Sequence, residues 1–314
     1  MGSLPKQTLP IINFCAKNLE AGSSSRLSTS KAVVRALEEY GCFIATCTNF
    51  SSDLHEAIFR ASEEMFALPT HVKTLNTSDK PSHGYVGQDP LKPLCEGLGI
   101  EDATTEEGVQ RFTTLLWPSG NDNFRETVLE YSKVVGGLDE EVMRMVSEVY
   151  GITNSYESLH EATSYLLRLI KYRAPVKDET RSGIVPHTDK SFMTILHQRH
   201  VKGLEIMAKN GEWIVVDPSP GAFVVMAGDP CMGWTNGRIR PSYHRVIMEH
   251  GSEVRYSLGV FTFIKDVEIR VPEELVDEDH PLQFKPFDHF KYIHFIYTEE
   301  GTRSKFQLRD YCGI

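Results

Sequence analysis

The runs YLLRLIKY (Tyr165–Tyr172), SFMTIL (Ser191–Leu196), GLEIM (Gly203–Met207), EWIVV (Glu212–Val216), AFVVMAG (Ala222–Gly228), YHRVIM (Tyr243–Met248) and VRYSLGVFTFI (Val254–Ile264) decide how this chain is built. They are short, rich in β-branched and aromatic residues, and separated by turn formers. That pattern predicts an antiparallel sandwich or barrel rather than alternating strand–helix units. Asn210-Gly211 and Asn236-Gly237 suit two-residue hairpin turns between neighbouring strands.

Upstream the texture is helical. Ser28 to Ser30 supply caps for a helix running to Tyr40, with Val33, Val34, Leu37 and Tyr40 on one face and Gly41 as its stop. Ser52 to Leu68 repeats the pattern and ends at Pro69. Asp122 to Tyr150 carries a long apolar stripe, which Gly136-Gly137 is expected to kink or split. The stretch from Asn76 to Asn121 reads as irregular and partly strand, with His83-Gly84-Tyr85 and Trp117-Pro118 assigned to core packing. The fold class is α+β, with residues 1–155 helix-rich, 156–272 the β core, and 273–314 a polar segment ending in a helix near Phe287. These parts are expected to form one integrated unit.

Composition limits the partners. The 314-residue chain is 40% hydrophobic and carries a net charge of −10, so it has no electrostatic footprint for nucleic acid. The same acidity disfavours an anionic substrate unless a local Arg or Lys receives it. Cys15, Cys42, Cys47, Cys95, Cys231 and Cys312 are scattered without a CxxC pair, which reads as reduced thiols in a cytoplasmic protein. MGSLPKQTLPIINF has neither a leader-like apolar stretch nor a myristoylation pattern, and no run of about 18 apolar residues occurs. The expectation is a soluble monomer acting on a small molecule, with neither nucleic acid nor membrane as partner.

The chemistry sits in the β-rich part. His187 and Asp189 are at i and i+2, so on a strand both face one side while Thr188 faces away. His-x-Asp alone says little, since 12 histidines give on the order of one such match by chance. Its company is specific. His244 follows 55 residues after Asp189, Arg255 follows 11 residues later, and Ser257 shares the Arg255 face. Two imidazoles and a carboxylate form the 2-His-1-carboxylate site of non-haem iron(II) oxygenases. A guanidinium fork with a neighbouring hydroxyl suits a carboxylate; the alternative for Arg255 is an internal salt bridge. A zinc hydrolase would need a general-base motif such as HExxH, and none accompanies the trio.

On these residues, the segment from Tyr165 to Phe263 resembles the double-stranded β-helix (jelly-roll) core of the plant-type 2-oxoglutarate- and iron(II)-dependent dioxygenases, the superfamily that includes isopenicillin N synthase. LPIINF and EEYGCFIA resemble its N-terminal domain, and LLRLIKYRAP with HTDKSFMTIL resembles the AOP-like branch. The resemblance implies Fe(II) on His187, Asp189 and His244, 2-oxoglutarate and O₂ as cosubstrates, and ascorbate as reductant. It places the far carboxylate of 2-oxoglutarate on Arg255, Ser257 and Tyr172, the last standing fifteen residues before His187. Here Lys171-Tyr172-Arg173-Ala174 replaces the family's Asn-Tyr-Tyr-Pro. Phe192, Phe261, Phe263, Phe290, His294 and Phe295 are the expected substrate contacts, the C-terminal segment acting as a lid, while His197 and His200 are read as wall or loop residues. The implied reaction is hydroxylation, desaturation or ring closure at an unactivated C–H bond of a small plant specialised metabolite, of phenylpropanoid/lignan or glucosinolate type. Two alternatives remain open at this point: an Fe(II)/O₂ oxidase that does not use 2-oxoglutarate, and a non-catalytic binding protein on the same fold.

Overall fold

The two longest β runs, Thr163–Tyr172 and Arg255–Ile264, pair with each other along their whole length, and the other strands are laid out around them. The computed structural model describes residues 8–47, 50–87, 89 and 92–314. Its principal strands are β1 (Ile11–Phe14), β2 (Cys42–Cys47), β3 (Cys95–Glu101), β4 (Thr163–Tyr172), β5 (Ser182–His187), β6 (Met193–Gln198), β7 (Leu204–Met207), β8 (Trp213–Val215), β9 (Ala222–Ala227), β10 (His244–Ile247) and β11 (Arg255–Ile264). Seven of them form one sheet in the order β1-β2-β9-β6-β11-β4-β3, and four form a second in the order β5-β10-β7-β8. Only the β1–β2 pair is parallel among these ladders.

Inward residues of the two sheets meet. Leu196, Val224 and Met226 of the larger sheet pack on Leu204, Ile206 and Ile214 of the smaller one. The result is a jelly roll with helices, an α+β fold. The N-terminal region is not only helical: β1 and β2 extend one edge of the larger sheet and β3 closes the other.

The helix ends follow side-chain chemistry. The first long helix is Ser24–Tyr40, capped by Ser23 through the Arg26 amide rather than by Ser28 to Ser30. The hydroxyls of Thr29 and Ser30 instead donate back to the carbonyls of Ser25 and Arg26. Arg26 then reaches Glu141 and Glu148 on the long helix at 2.5 and 2.9 Å, which favours the earlier start. Helix Ser52–Ala67 is capped by Ser51.

Asp122–Tyr150 runs unbroken through Gly136-Gly137. A Cβ on Gly136 would lie 3.0 Å from Thr104 Cγ2, so the small residue serves close packing rather than a kink. Asn210-Gly211 lies in a longer connection than expected, with Ala208 and Glu212 closing a three-residue loop and Gly211 at φ 85°. Asn236-Gly237 is not a hairpin at all. It ends helix Asp229–Trp234 in the left-handed region, Gly237 N–H bonding to the Met232 carbonyl at 2.8 Å.

Mid-way along the long helix, Asp139 is buried. Its Oδ2 accepts from the Tyr165 hydroxyl at 3.3 Å and its Oδ1 has no partner among the described residues. Burial pushes this carboxyl up to about 7. The unfolded chain therefore ionises Asp139 before the folded one does, and stability falls as pH rises from near 4 towards 7. Asp139→Asn is expected to flatten that slope and to raise Tm at pH 8, at about 2–4 °C per kcal/mol recovered. Melting curves of both proteins between pH 5 and 8 test this; parallel curves would sink it.

Candidate active site

His187 ends β5 and His244 begins β10, and these two residues stand directly opposite each other across the antiparallel pair. Strand register thus brings together two imidazoles 55 residues or more apart in sequence, their ring centroids separated by 4.3 Å. Asp189, in the loop just beyond β5, aims Oδ1 at both, 3.5 Å from His187 Nε2 and 3.8 Å from His244 Nε2. His187 Nδ1 lies 2.8 Å from the Val185 carbonyl and His244 Nδ1 lies 3.1 Å from that of Ser242. A carbonyl only accepts, so each ring keeps its proton on Nδ1 and turns a free Nε2 lone pair to the centre.

The ionisation states agree with this. Burial, helped by the neighbouring His187, lowers His244 to about 4. Burial alone would raise Asp189, but His244, His187 and the Thr194 hydroxyl, which donates to Oδ2 at 2.7 Å, hold it below the usual carboxylate range. With His244 held neutral, Asp189 ionised and His187 Nε2 facing them both, the cluster presents two imidazoles and a carboxylate, the donor set that Fe(II) takes in a facial triad. Among the described residues no other trio of metal-ligating side chains comes together.

The loop carrying Asp189 is tied down by its neighbours. The amides of Gly228 and Asp229 bond to the carbonyls of Phe192 and Asp189 at 3.1 and 3.0 Å. The Asp229 carboxylate takes Lys190 Nζ and the Tyr292 hydroxyl, each at 2.6 Å, which joins the loop to helix His289–Phe295. A Cβ on Gly228 would sit 1.8 Å from the Ser191 carbonyl oxygen. Gly228→Ala is therefore expected to lower stability by about 1–3 kcal/mol through overpacking and to weaken iron binding with it. Denaturant titration with iron titration checks this, and unchanged values in both would refute it.

Arg255 lies on the other sheet, 1% exposed. Its Nη1 donates to Ser257 Oγ at 3.1 Å and Nη2 to Gln198 Oε1 at 2.7 Å, while Nε has no partner. Tyr172 is its cross-strand partner, the guanidinium carbon 4.9 Å from the ring centre. Burial raises the Tyr172 phenol well above its ordinary value, so it is a neutral hydrogen-bonding group. No carboxylate of the described residues lies within 4.0 Å of Arg255, and the internal salt bridge is absent. A buried cation held only by neutral groups fits an incoming carboxylate.

A cavity of about 340 Å³ opens on His187 and Asp189. Phe261 and Phe263 are in its wall, as is His83, whose ring lies 4.8 Å from that of Phe263. His83 is thus a cavity residue and not simply core packing. A larger, more open groove of about 580 Å³ near His160 and Lys265 contains none of these groups.

Four expected contacts lie elsewhere. Phe192, in the loop between β5 and β6, packs in the core against Trp234, centroids 5.7 Å apart. His294 is exposed, its Nδ1 2.6 Å from the Phe290 carbonyl, and Phe295 lies on Tyr311 at 5.1 Å. Helical phase instead turns Ile293, Ile296 and Tyr297 to the cavity. Phe290 stands behind Phe263 at 5.8 Å. His197 is buried beside His55, Nε2 to Nδ1 3.0 Å, and His200 pairs with Glu253 at the surface. Arg168 and Gln198 were not singled out from sequence. Arg168 was legible by strand parity with Tyr172, four residues on, whereas the Gln198–Arg255 contact depends on the β6–β11 register.

Over 98% of its length the chain is 44% identical to a probable 2-oxoglutarate-dependent dioxygenase of Arabidopsis thaliana, AOP1, covering 96% of that protein. The chain belongs to the 2OG-Fe(II) oxygenase superfamily. The model of that superfamily matches residues 163–264, and that of the N-terminal region of non-haem dioxygenases in morphine synthesis matches 9–119. AOP2 of the same plant, a 2-oxoglutarate-dependent dioxygenase, is 30% identical over 100% of this chain and 99% of its own. Among solved oxygenases, the rice dioxygenase for auxin oxidation is 28% identical with a TM-score of 0.82, over 98% of this chain and 100% of that one. The corresponding Arabidopsis thaliana protein bound to 2-oxoglutarate is 27% identical with a TM-score of 0.78, over 87% and 100%. This superfamily member is therefore an oxidoreductase, a 2-oxoglutarate-dependent dioxygenase of the AOP/DAO type that uses Fe(II). The oxidase and non-catalytic alternatives give way to that assignment. None of its helices among the described residues is long and apolar enough to cross a membrane.

Proposed function

We propose that the enzyme oxidises an unactivated C–H bond of a small, largely apolar plant specialised metabolite, with His187, Asp189 and His244 holding iron and Arg255, Ser257 and Tyr172 holding the far carboxylate of 2-oxoglutarate. The observation that carries the assignment is Arg255, a buried guanidinium with a free Nε and no carboxylate partner among the described residues. Bound iron, with 2-oxoglutarate and O₂, supplies the oxidant that removes a hydrogen atom from the substrate, releasing CO₂ and succinate.

The chain's own residues do the rest. The Nδ1 bonds to Val185 and Ser242 hold both imidazoles in the ligating tautomer. Gln198 and Ser257 fix the Arg255 fork, so the cosubstrate meets a preorganised site. Phe261, Phe263 and the stripe Ile293, Ile296 and Tyr297 seat the substrate and exclude water. A cavity of this size favours a phenylpropanoid-sized substrate over a glycosylated, sulfated one of glucosinolate type. The six free thiols support a reducing, cytoplasmic setting.

The test is aerobic incubation with Fe(II), 2-oxoglutarate and ascorbate against a panel of plant phenylpropanoids and glucosinolates. Succinate formation that rises with one substrate class is the expected result; none with any phenylpropanoid would sink the substrate assignment.

A further inference from the structure

We propose that Arg168 is the specificity-determining residue of the cavity and receives a carboxylate of the substrate, which is therefore a small, mostly apolar organic acid. This rests on the reading of the His187, Asp189 and His244 cavity as the active site.

Arg168 shares a β4 face with Leu166, Ile170 and Tyr172, and the first two line the cavity with it. Its Nη1 donates to the backbone carbonyls of Ser82 and, at 3.0 Å, Gly84. These acceptors fix the guanidinium plane but carry no charge. No carboxylate of the described residues lies within 4.0 Å of it. Arg168 is thus a second unneutralised cation at this end of the sheet, distinct from Arg255, and unlike Arg255 it opens onto the cavity itself.

The wall around it has the matching sign. Lys92 adds a positive group, Lys190 is already paired with Asp229, and the only carboxylate lining the cavity among the described residues is Asp189, in the metal cluster. In a protein of net charge −10 this is a local reversal of field, the condition under which an anion is admitted. A planar fork with its carbonyl side already satisfied presents its remaining N–H groups to a carboxylate with little further ordering. The remainder of the wall is apolar, through Leu166, Ile170, Phe261, Phe263, Ile293 and Ile296, so a charged head on an aliphatic or aromatic body is the ligand it fits.

The test uses the full-length protein loaded anaerobically with Fe(II) and 2-oxoglutarate. Calorimetric titrations compare 3-phenylpropanoate, 4-phenylbutanoate and naphthylacetate with their methyl esters. The charge-transfer absorption of the Fe(II)–2-oxoglutarate complex is recorded first, and its absence refutes the active-site reading itself rather than the role of Arg168. With the band present, the acids are expected to bind roughly ten- to a hundredfold more tightly than the esters. Arg168→Gln is expected to bring acid and ester to within about threefold, and Arg168→Lys to restore part of the difference. If Arg168→Gln does not fold, the acid-to-ester ratio of the parent protein decides. Acids binding no better than esters, a ratio unchanged in Arg168→Gln, or no binding of any probe overturns the proposal and leaves Arg168 a clamp on residues 82–84.

Discussion

Arg255→Met is expected to raise the 2-oxoglutarate concentration needed for half-maximal succinate formation on the order of 100-fold, while leaving the melting temperature of the 2-oxoglutarate-free protein unchanged or higher. The two halves have one cause. Arg255 is 1% exposed and among the described residues its charge meets Ser257, Gln198 and the Tyr172 face, with no carboxylate. Without a carboxylate, the folded chain bears the cost of burying that charge, and a methionine of similar length removes it. With cosubstrate present the balance reverses, because loss of one member of a buried charge pair costs about 2–5 kcal/mol in binding. A structural arginine would show the opposite signature, a fall in Tm with the cosubstrate requirement untouched, and that outcome would sink the assignment.

Asp189→Ala is expected to cut turnover on the order of 1,000-fold, equivalent to about 4 kcal/mol at the barrier, and to abolish stable iron binding. Folding should survive, since Asp189 is held by one hydroxyl and sits in a loop already pinned through Gly228 and Asp229. His187→Ala and His244→Ala are expected to behave alike. Metal content, circular dichroism and succinate release on the same preparations separate lost ligation from lost folding; full activity in any of the three variants refutes the triad.

What could be read from the chain depended on whether a signal was local. His187 and Asp189 converge because they are two residues apart at a strand end, with Asp189 in the loop beyond β5, and the lengths of helices Ser52–Ala67 and Asp122–Tyr150 follow from apolar periodicity and caps. The misreadings share a physical origin. Asn236-Gly237 reports two residues able to adopt positive φ, and a left-handed helix end satisfies that as well as a hairpin does. Gly136-Gly137 lowers helix propensity by about 1 kcal/mol per glycine, yet the helix continues, with Gly136 packed close to Thr104 and Gly137 facing open space. Phe192 was placed near the metal by sequence proximity, whereas the loop that carries it turns its ring onto Trp234. The meeting of His187 with His244, and of Tyr172 with Arg255, is a matter of register between distant strands, which no single segment encodes.

The cavity draws its walls from unequal sources. The metal-ligating and guanidinium groups stand on or beside paired strands, whereas much of the remaining wall comes from Pro81, Ser82, His83, Val86 and Lys92 and from the stripe Ile293, Ile296 and Tyr297, far apart in the chain. The oxidative groups and much of the substrate wall are thereby kept on separate parts of one polypeptide. A duplicated copy can exchange or lengthen those two segments and acquire a new diet while its oxidative machinery stays intact. Transplanting both segments together between relatives, with the β4 residue at position 168 exchanged alongside them, is the shortest route by which this scaffold changes what it consumes.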